Sequence, residues 1–288
     1  MKIKIQPAII SIVLLFFSLN AVAQNNLTDS NATDTKAKIS IYAAAAYATP
    51  LHYYGRTDSL KSSAFLPTLI IQAGKHFSVT PSVIFTKNTS TNFEYAATVV
   101  NATYTFGELK GIAGSIFGDK FFYKDNSTLV RSVQQGQAGF SIGHLNKILN
   151  VTTGASAAFS KANTDYFANA ILDHQFKIVK GENIFLIKPS VTANAGTQNF
   201  TRSYYKNSGF PVLPPSQQLV TESSKRFAIL SYDVNLAATY AVKRFILSVT
   251  PGYVLPQNII TDPNNSSLSE NAKNLFFCNA VVVYRITK

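Results

Sequence analysis

Apolar and polar residues alternate along most of this chain with a period of two, the spacing of a strand with one dry face and one wet face. Residues 226–257, RFAILSYDVNLAATYAVKRFILSVTPGYVLPQ, carry the pattern furthest. Ala228, Leu230, Tyr232, Val234, Leu236, Ala238, Tyr240 and Val242 share one face, and Ser231, Asp233, Asn235, Thr239 and Lys243 share the other. A tight turn at Lys243-Arg244 resets the register, after which Phe245, Leu247, Val249, Pro251, Tyr253 and Leu255 continue the apolar face. Strands of this length exceed the ~5–6 residues usual in globular sheets. A long strand with one apolar face fits a transmembrane barrel wall, which meets lipid outside and water inside. The same alternation predicts strands near 37–49, 66–75, 77–88, 93–106, 111–124, 131–143, 148–161, 165–179, 184–200, 226–242, 244–257 and 274–287. About twelve strands, an even number, predict an all-β, antiparallel, up-and-down transmembrane β-barrel.

The connections check that count. One set is short: Lys75-His76, 107–110, 144–147, 180–183 and Lys243-Arg244. The alternate set is longer or more variable: 50–65, 89–92, 125–130, 162–164, 201–225 and 260–273. Such barrels have short periplasmic turns and longer extracellular loops, so both termini are expected on the periplasmic side. A weak repeat follows three of the short turns, in GKHFSVTPSVIF at 74–85, GENIFLIKPSVTA at 181–193 and KRFILSVTPGYVL at 243–255. Each places a proline in mid-strand, where it removes a ladder hydrogen bond, and a local bulge is expected at Pro81, Pro189 and Pro251.

The N-terminus changes the picture of where the chain resides. Met1-Lys2-Ile3-Lys4 is basic, residues 8–19 are apolar, and Ala21-Val22-Ala23 forms an A-x-A site, so residues 1–23 read as a secretory signal peptide. No later segment approaches the ~18 apolar residues of a helical span. Residues 24–36 are polar and aperiodic and read as a loose periplasmic lead-in, leaving 37–288 as the barrel. Cys278 is the one cysteine, so no internal disulfide can form. Charged residues make up 14% of the chain against ~25% in globular proteins, while aromatics reach 12% with 14 Tyr, 21 Phe and no Trp. Few charges suit a lipid-facing wall, and Tyr must take the place of Trp at its interfaces. The net charge of +12 is scattered over turns and loops without a basic stripe, which argues against nucleic acid and for anionic lipid headgroups or small anionic solutes as partners.

The last predicted strand places Phe276, Cys278, Ala280, Val282, Tyr284 and Ile286 on one face. With that strand the chain resembles the Gram-negative outer-membrane β-barrel proteins, a porin-like superfamily, without pointing to any subfamily. The resemblance implies an outer-membrane location, contact with lipid and lipopolysaccharide, and delivery by the outer-membrane assembly machinery, which reads alternating aromatic and apolar residues in the final strand. Tyr284 and Ile286 fit that pattern, and the terminal Lys288 departs from its usual aromatic end.

Candidate chemistry lies on the inner face and in the loops. Inward-phase polar residues set the selectivity of a pore, and the set here is Asp173, Gln175, Lys177, Lys188, Asp233, Asn235, Lys243 and Arg285, with Lys38 near the periplasmic mouth. Folding about the turn at 180–183 sets Lys188 opposite Gln175 and diagonal to Asp173 and Lys177. Cations exceed acids in this set, so an open lumen should favour anions modestly, whereas paired charges would fill a closed one. The loop 201–225 offers Arg202, Tyr204, Tyr205, Lys206 and Phe210 for stacking and for holding acidic groups, whether as a constriction, an outer binding loop or a free loop. Enzymes of this architecture need a Ser, a His and a carboxylate or Asn within reach. Only His174 is oriented like a lipid-facing catalytic histidine, and its predicted neighbours offer no outward Ser, so no catalytic residue is expected. The sequence contains no HExxH, cysteine cluster, acidic calcium loop, P-loop or GxGxxG, and neither metal nor cofactor is expected. The expected function is a passive channel for small solutes. A closed barrel that binds through its outer loops is the alternative, and a lipid-modifying enzyme comes third.

Overall fold

A computed structural model describes residues 39–57, 62–89, 92–109, 111–124, 134–160, 163–199, 225–260 and 272–287. Its strands are β1 (Ile39–Thr49), β2 (Ser63–Ala73), β3 (Phe77–Lys87), β4 (Glu94–Leu109), β5 (Ile112–Tyr123), β6 (Gln134–His144), β7 (Asn150–Ser160), β8 (Thr164–Asp173, resuming at Phe176–Lys180), β9 (Asn183–Gly196), β10 (Ala228–Val242), β11 (Phe245–Pro256) and β12 (Leu275–Arg285). Each pairs antiparallel with its sequence neighbours, and β1 pairs with β12 from Tyr42↔Arg285 to Thr49↔Cys278. The result is a closed barrel of twelve strands, as the alternation predicts. Closure leaves no edge strand with unpaired backbone groups, the condition for a sheet in lipid.

The short connections all fall at one rim, where β1 begins and β12 ends, and the longer ones fall at the other. Tight turns at the first rim use left-handed residues: Gly74 at φ 66°, Gly181 at φ 61° and Lys243 at φ 52°. The predicted loops at 50–65 and 201–225 come out differently. The first contains a small hairpin and the start of β2, and most of the second lies outside the described residues.

Outward positions form an apolar wall with aromatic belts. On four strands two outward aromatics stand eight residues apart: Phe77 and Phe85, Tyr232 and Tyr240, Phe245 and Tyr253, Phe276 and Tyr284. Eight residues span ~27 Å along a strand, or about 20 Å of membrane depth at the usual barrel tilt. Pairing aligns the belts between strands, with Phe245 opposite Tyr284 and Tyr253 opposite Phe276. The Phe245 and Tyr284 rings sit 4.9 Å apart.

The expected bulges at Pro81, Pro189 and Pro251 do not occur. Each proline keeps full pairing with one neighbour, Pro81↔Val100, Pro189↔Leu236 and Pro251↔Cys278. On the other side the ladder skips the proline and resumes in unchanged register. Pairs Asn235↔Gly252 and Ala238↔Val249 flank the gap at Pro251, and Asp173↔Ser190 and Phe176↔Ile187 flank the one at Pro189, which is where β8 is interrupted. An antiparallel residue donates its N–H to one neighbour only, so proline costs one bond on one side and need not insert a residue.

A real bulge lies elsewhere and corrects one placement. Asn194 pairs with Ser231 but Ala195 pairs with Ile229, leaving Leu230 as the extra residue of β10. Leu230 therefore turns inward and is 1% exposed, while Ile229 faces out. The apolar outer face of β10 runs from Tyr232 to Val242, and Ala228 and Leu230 do not belong to it.

Candidate functional site: the barrel interior and its inserted hairpin

Inward residues divide the interior into two halves. Around β12, β1, β2, β3 and β4 the inner face is packed, with Ala44, Ala46, Leu66, Ile84, Val99 and Val281 in one apolar cluster beside buried Thr80, Ser82, Thr86 and Asn101. Along β6 and β7 it is small and mostly polar, and Ser141, Thr152 and Ser156, with Ser115 of β5 and Asn169 of β8 on either side, remain partly exposed, while Phe117 and Phe121 of β5 and Phe167 of β8 are buried inward. Ser115 and Ser141 hydroxyls meet at 2.9 Å, and Gln137 Nε2 donates to Ser156 Oγ at 2.9 Å.

Among the described residues four aspartates face inward, each supplied with donors. Asn101 Nδ2 donates to Asp119 at 2.8 Å, and Thr197 Oγ1 and the Asn199 N–H donate to Asp165 at 2.7 and 2.6 Å. Asn194 Nδ2 and Ser231 Oγ each donate to Asp233 at 2.8 Å. Asp173 accepts from Asn150 Nδ2 at 2.9 Å and pairs with Lys188 Nζ at 3.4 Å. Lys188 and Gln175 oppose one another in the β8/β9 register, with Asp173 diagonal to Lys188, as the turn at 181–182 requires. The Asp173 side chain is 5% exposed and that of Lys188 37%. Lys177 follows inward in phase at the short-turn rim and is exposed. Asn235 faces in beside Gly252, and Arg285 faces in opposite Tyr42. Lys243 departs from the predicted inner set, because it occupies the turn itself and is exposed at the rim. Arg202, Tyr204, Tyr205, Lys206, Phe210 and Lys38 lie outside the described residues, as do the predicted signal peptide and lead-in.

Sequence reasoning missed the most heavily built part of the interior. Immediately after β1, His52-Tyr53 and Arg56-Thr57 pair as a hairpin whose turn residues Tyr54 and Gly55 have φ of 49° and 79°. Two successive left-handed residues make the two-residue turn that suits strand twist, and glycine is favoured at the second. A Cβ on Gly55 would also stand 2.9 Å from the Pro256 side chain. Leu51, His52, Tyr53, Tyr54 and Arg56 are all buried, so this segment is folded into the long-loop mouth. Tyr53 and Tyr54 pack with Phe167, Ala158 and Leu230, the last placed there by the β10 bulge. The His52 ring lies 4.5 Å from Phe277.

Arg56 anchors the hairpin across the mouth. Its Nη1 donates to the Tyr54 and Leu230 carbonyls at 3.1 and 3.3 Å, and Nη2 to the Gln257 and Asn258 carbonyls at 3.1 and 3.5 Å. With the Gln198 amide turned so that its oxygen faces the guanidinium, that oxygen accepts from Nε at 3.1 Å and Nη2 at 2.6 Å. A planar fork of five donors suits such a cradle, and a lysine could not fill it. The readable signal was the density of aromatic and apolar residues in LHYYG, which has no reason to stand in a solvent-exposed loop.

Burial gives the hairpin a pH dependence. It pushes the His52 imidazole down to about 4, and the Gly55 N–H approaches Nδ1 at 3.4 Å, a bond only an unprotonated nitrogen accepts. Tyr54 is raised by burial, with Asp233 adding to the rise and Arg56 opposing it. An undocked His52 would titrate near ~6.5, so below that pH the undocked hairpin binds a proton that the docked one refuses. Docking is therefore complete above pH 6.5 and weakens as pH falls toward 4, by up to about 3 kcal/mol. Conductance of the wild-type protein should rise between pH 7 and 4.5 and stay flat in His52→Phe. A flat wild-type profile would contradict this docking.

The chemistry of the exterior decides the class of fold: a closed barrel with an apolar outer wall, two aromatic belts and a polar inner stripe. This is a transmembrane β-barrel fold. No protein-family model matches the chain, and no curated protein does either. Among solved structures it is similar in fold to the KdgM porin, at 10% identity and TM-score 0.48, covering 85% of this chain and 99% of that one. It is also similar to LpxR from Salmonella typhimurium, at 7% identity and TM-score 0.47, covering 84% and 99%. An outer membrane channel from Pseudomonas putida F1 is similar at 12% identity and TM-score 0.45, covering 90% and 98%. On this barrel His174 faces out as predicted, with its ring 4.4 Å from Phe176 in an edge contact. Cys278 is free and outward, and the described residues contain no group of three metal-ligating side chains.

Proposed function

We propose that this protein is a passive outer-membrane channel for small solutes with a modest anion preference, its long-loop mouth narrowed by the hairpin at 51–57. The observation that carries the reading is the small, mostly polar inner face of β6 and β7, bordered by Ser115 and Asn169, whose hydroxyl and amide side chains stay partly exposed. The anion preference rests on access. All four inward aspartates among the described residues are buried and hydrogen-bonded, whereas Lys177 is exposed and Lys188, although paired with Asp173, keeps 37% of its side chain open. The field a solute meets is therefore positive although the charges nearly balance. Residues 1–23 serve as the export signal, 24–36 as a periplasmic lead-in, and both barrel termini lie on the periplasmic side, in keeping with the rim of short turns. The outer-membrane assembly machinery delivers the chain. The protein is not an enzyme, in keeping with a His174 engaged by a phenylalanine rather than by an acid or a serine.

A second reading, a closed barrel that binds a ligand at its outer end, is favoured by the burial of the hairpin across the mouth. Reversal potentials in planar bilayers under a salt gradient test the channel. Ohmic conductance biased toward anions, with the bias reduced in Lys188→Glu, is expected. Conductance with no bias would refute the anion preference, and silence would favour the closed barrel.

A further inference from the structure

Lys120 stands where the wall should be apolar. On β5 the outward series is Ile112, Gly114, Ile116, Gly118, Lys120 and Phe122, and the register sets Lys120 between Val100 of β4 and Gly136 of β6. Among the described residues it is the one Asp, Glu, Lys or Arg that faces outward inside a barrel strand; the other outward charge carriers stand at strand ends. It is exposed, and no ion pair to it occurs among the described residues. Phe122, an exposed outward aromatic, lies two residues nearer the long-loop rim, and a lysine side chain extended along the wall reaches toward that rim. A cation on the lipid face costs up to ~2–4 kcal/mol at mid-membrane and less toward the interface, where an anionic headgroup can neutralise it.

The surroundings fit such a headgroup and its chain. Directly below Lys120 the outward residues across three strands are Ala102, Gly118 and Ala138. A Cβ on Gly118 would meet nothing nearer than 3.9 Å, so the wall is shallow there. Toward the long-loop rim stand Lys124, just past the end of β5 and 3.8 Å from Glu94, and Lys87, at the end of β3 and 5.7 Å over the Phe93 ring. A cation over a trough with further lysines above is complementary to a phosphate that carries an acyl chain.

We propose that Lys120 holds the phosphate of an outer-leaflet lipid, a phosphorylated and acylated glycolipid, whose chain lies in the trough at Gly118. The inference rests on the orientation proposed above, with long loops outside, but not on conductance, so either can fail alone. The test is native mass spectrometry of the purified full-length barrel titrated with bis-phosphorylated lipid A, its dephosphorylated form and phosphatidylglycerol. Bis-phosphorylated lipid A should bind wild type and Lys147→Ala, a short-turn control, equally. It should bind Lys120→Ala roughly tenfold more weakly, and the dephosphorylated form should bind poorly to all three. Lys120→Arg should retain binding, which separates loss of charge from loss of fold. Equal binding of lipid A to wild type and Lys120→Ala would overturn the proposal, as would equal binding of the dephosphorylated form or a preference for phosphatidylglycerol.

Discussion

Replacing Arg56 with alanine is expected to free the hairpin and raise single-channel conductance severalfold. The substitution removes donors from the carbonyls of Tyr54, Leu230, Gln257 and Asn258, and from the Gln198 side chain. Hydrogen bonds to a charged group contribute roughly 1.5–3 kcal/mol each, so losing even two would move a docked segment toward release. The barrel itself should survive, because its ladders do not pass through Arg56. Heat resistance in gels should therefore change little while conductance rises, and Arg56→Lys should fall between the two, since it keeps the charge but not the fork. Unchanged conductance in Arg56→Ala would mean that the tyrosine cluster alone keeps the hairpin in place.

The second large effect concerns the wall. Val249 lies outward on β11, midway between the belt residues Phe245 and Tyr253, and its neighbour Thr250 points in. Arginine at 249 puts a charge near mid-membrane at a cost of ~2–4 kcal/mol, enough to strip most folded barrel from the membrane fraction. Arginine at 250 meets the interior, so the protein should fold and conduct less. Folded yield of Val249→Arg equal to that of Thr250→Arg would contradict the assignment of faces.

Strands and faces were legible because both depend on local alternation. A period of two, sustained over ten or more residues, forces one face dry, and the alternation of short and long connections fixes which ends meet. The prolines were misjudged because sequence does not say which neighbour a given N–H addresses, and the structure loses each bond on one side without shifting register. Leu230 was misjudged because a bulge reverses parity, and nothing local distinguishes its LSYD segment from a regular strand. The hairpin was missed for a different reason. Its anchors, Leu230, Gln257 and Phe277, are 174 or more positions beyond Arg56, and only barrel closure brings them together. The acids of the interior were partly legible: Asp173 and Asp233 follow from strand phase, whereas Asp119 and Asp165 carry the same phase signal and were passed over.

Single-channel conductance of the wild-type protein, side by side with a chain in which residues 51–57 are replaced by a short glycine-serine link, tests the central claim most directly. A polar passage narrowed by an inserted hairpin predicts small, steady conductance in the wild type and clearly larger conductance in the replaced chain. Silence in both folded proteins would contradict it and leave a barrel that is closed for reasons other than its hairpin.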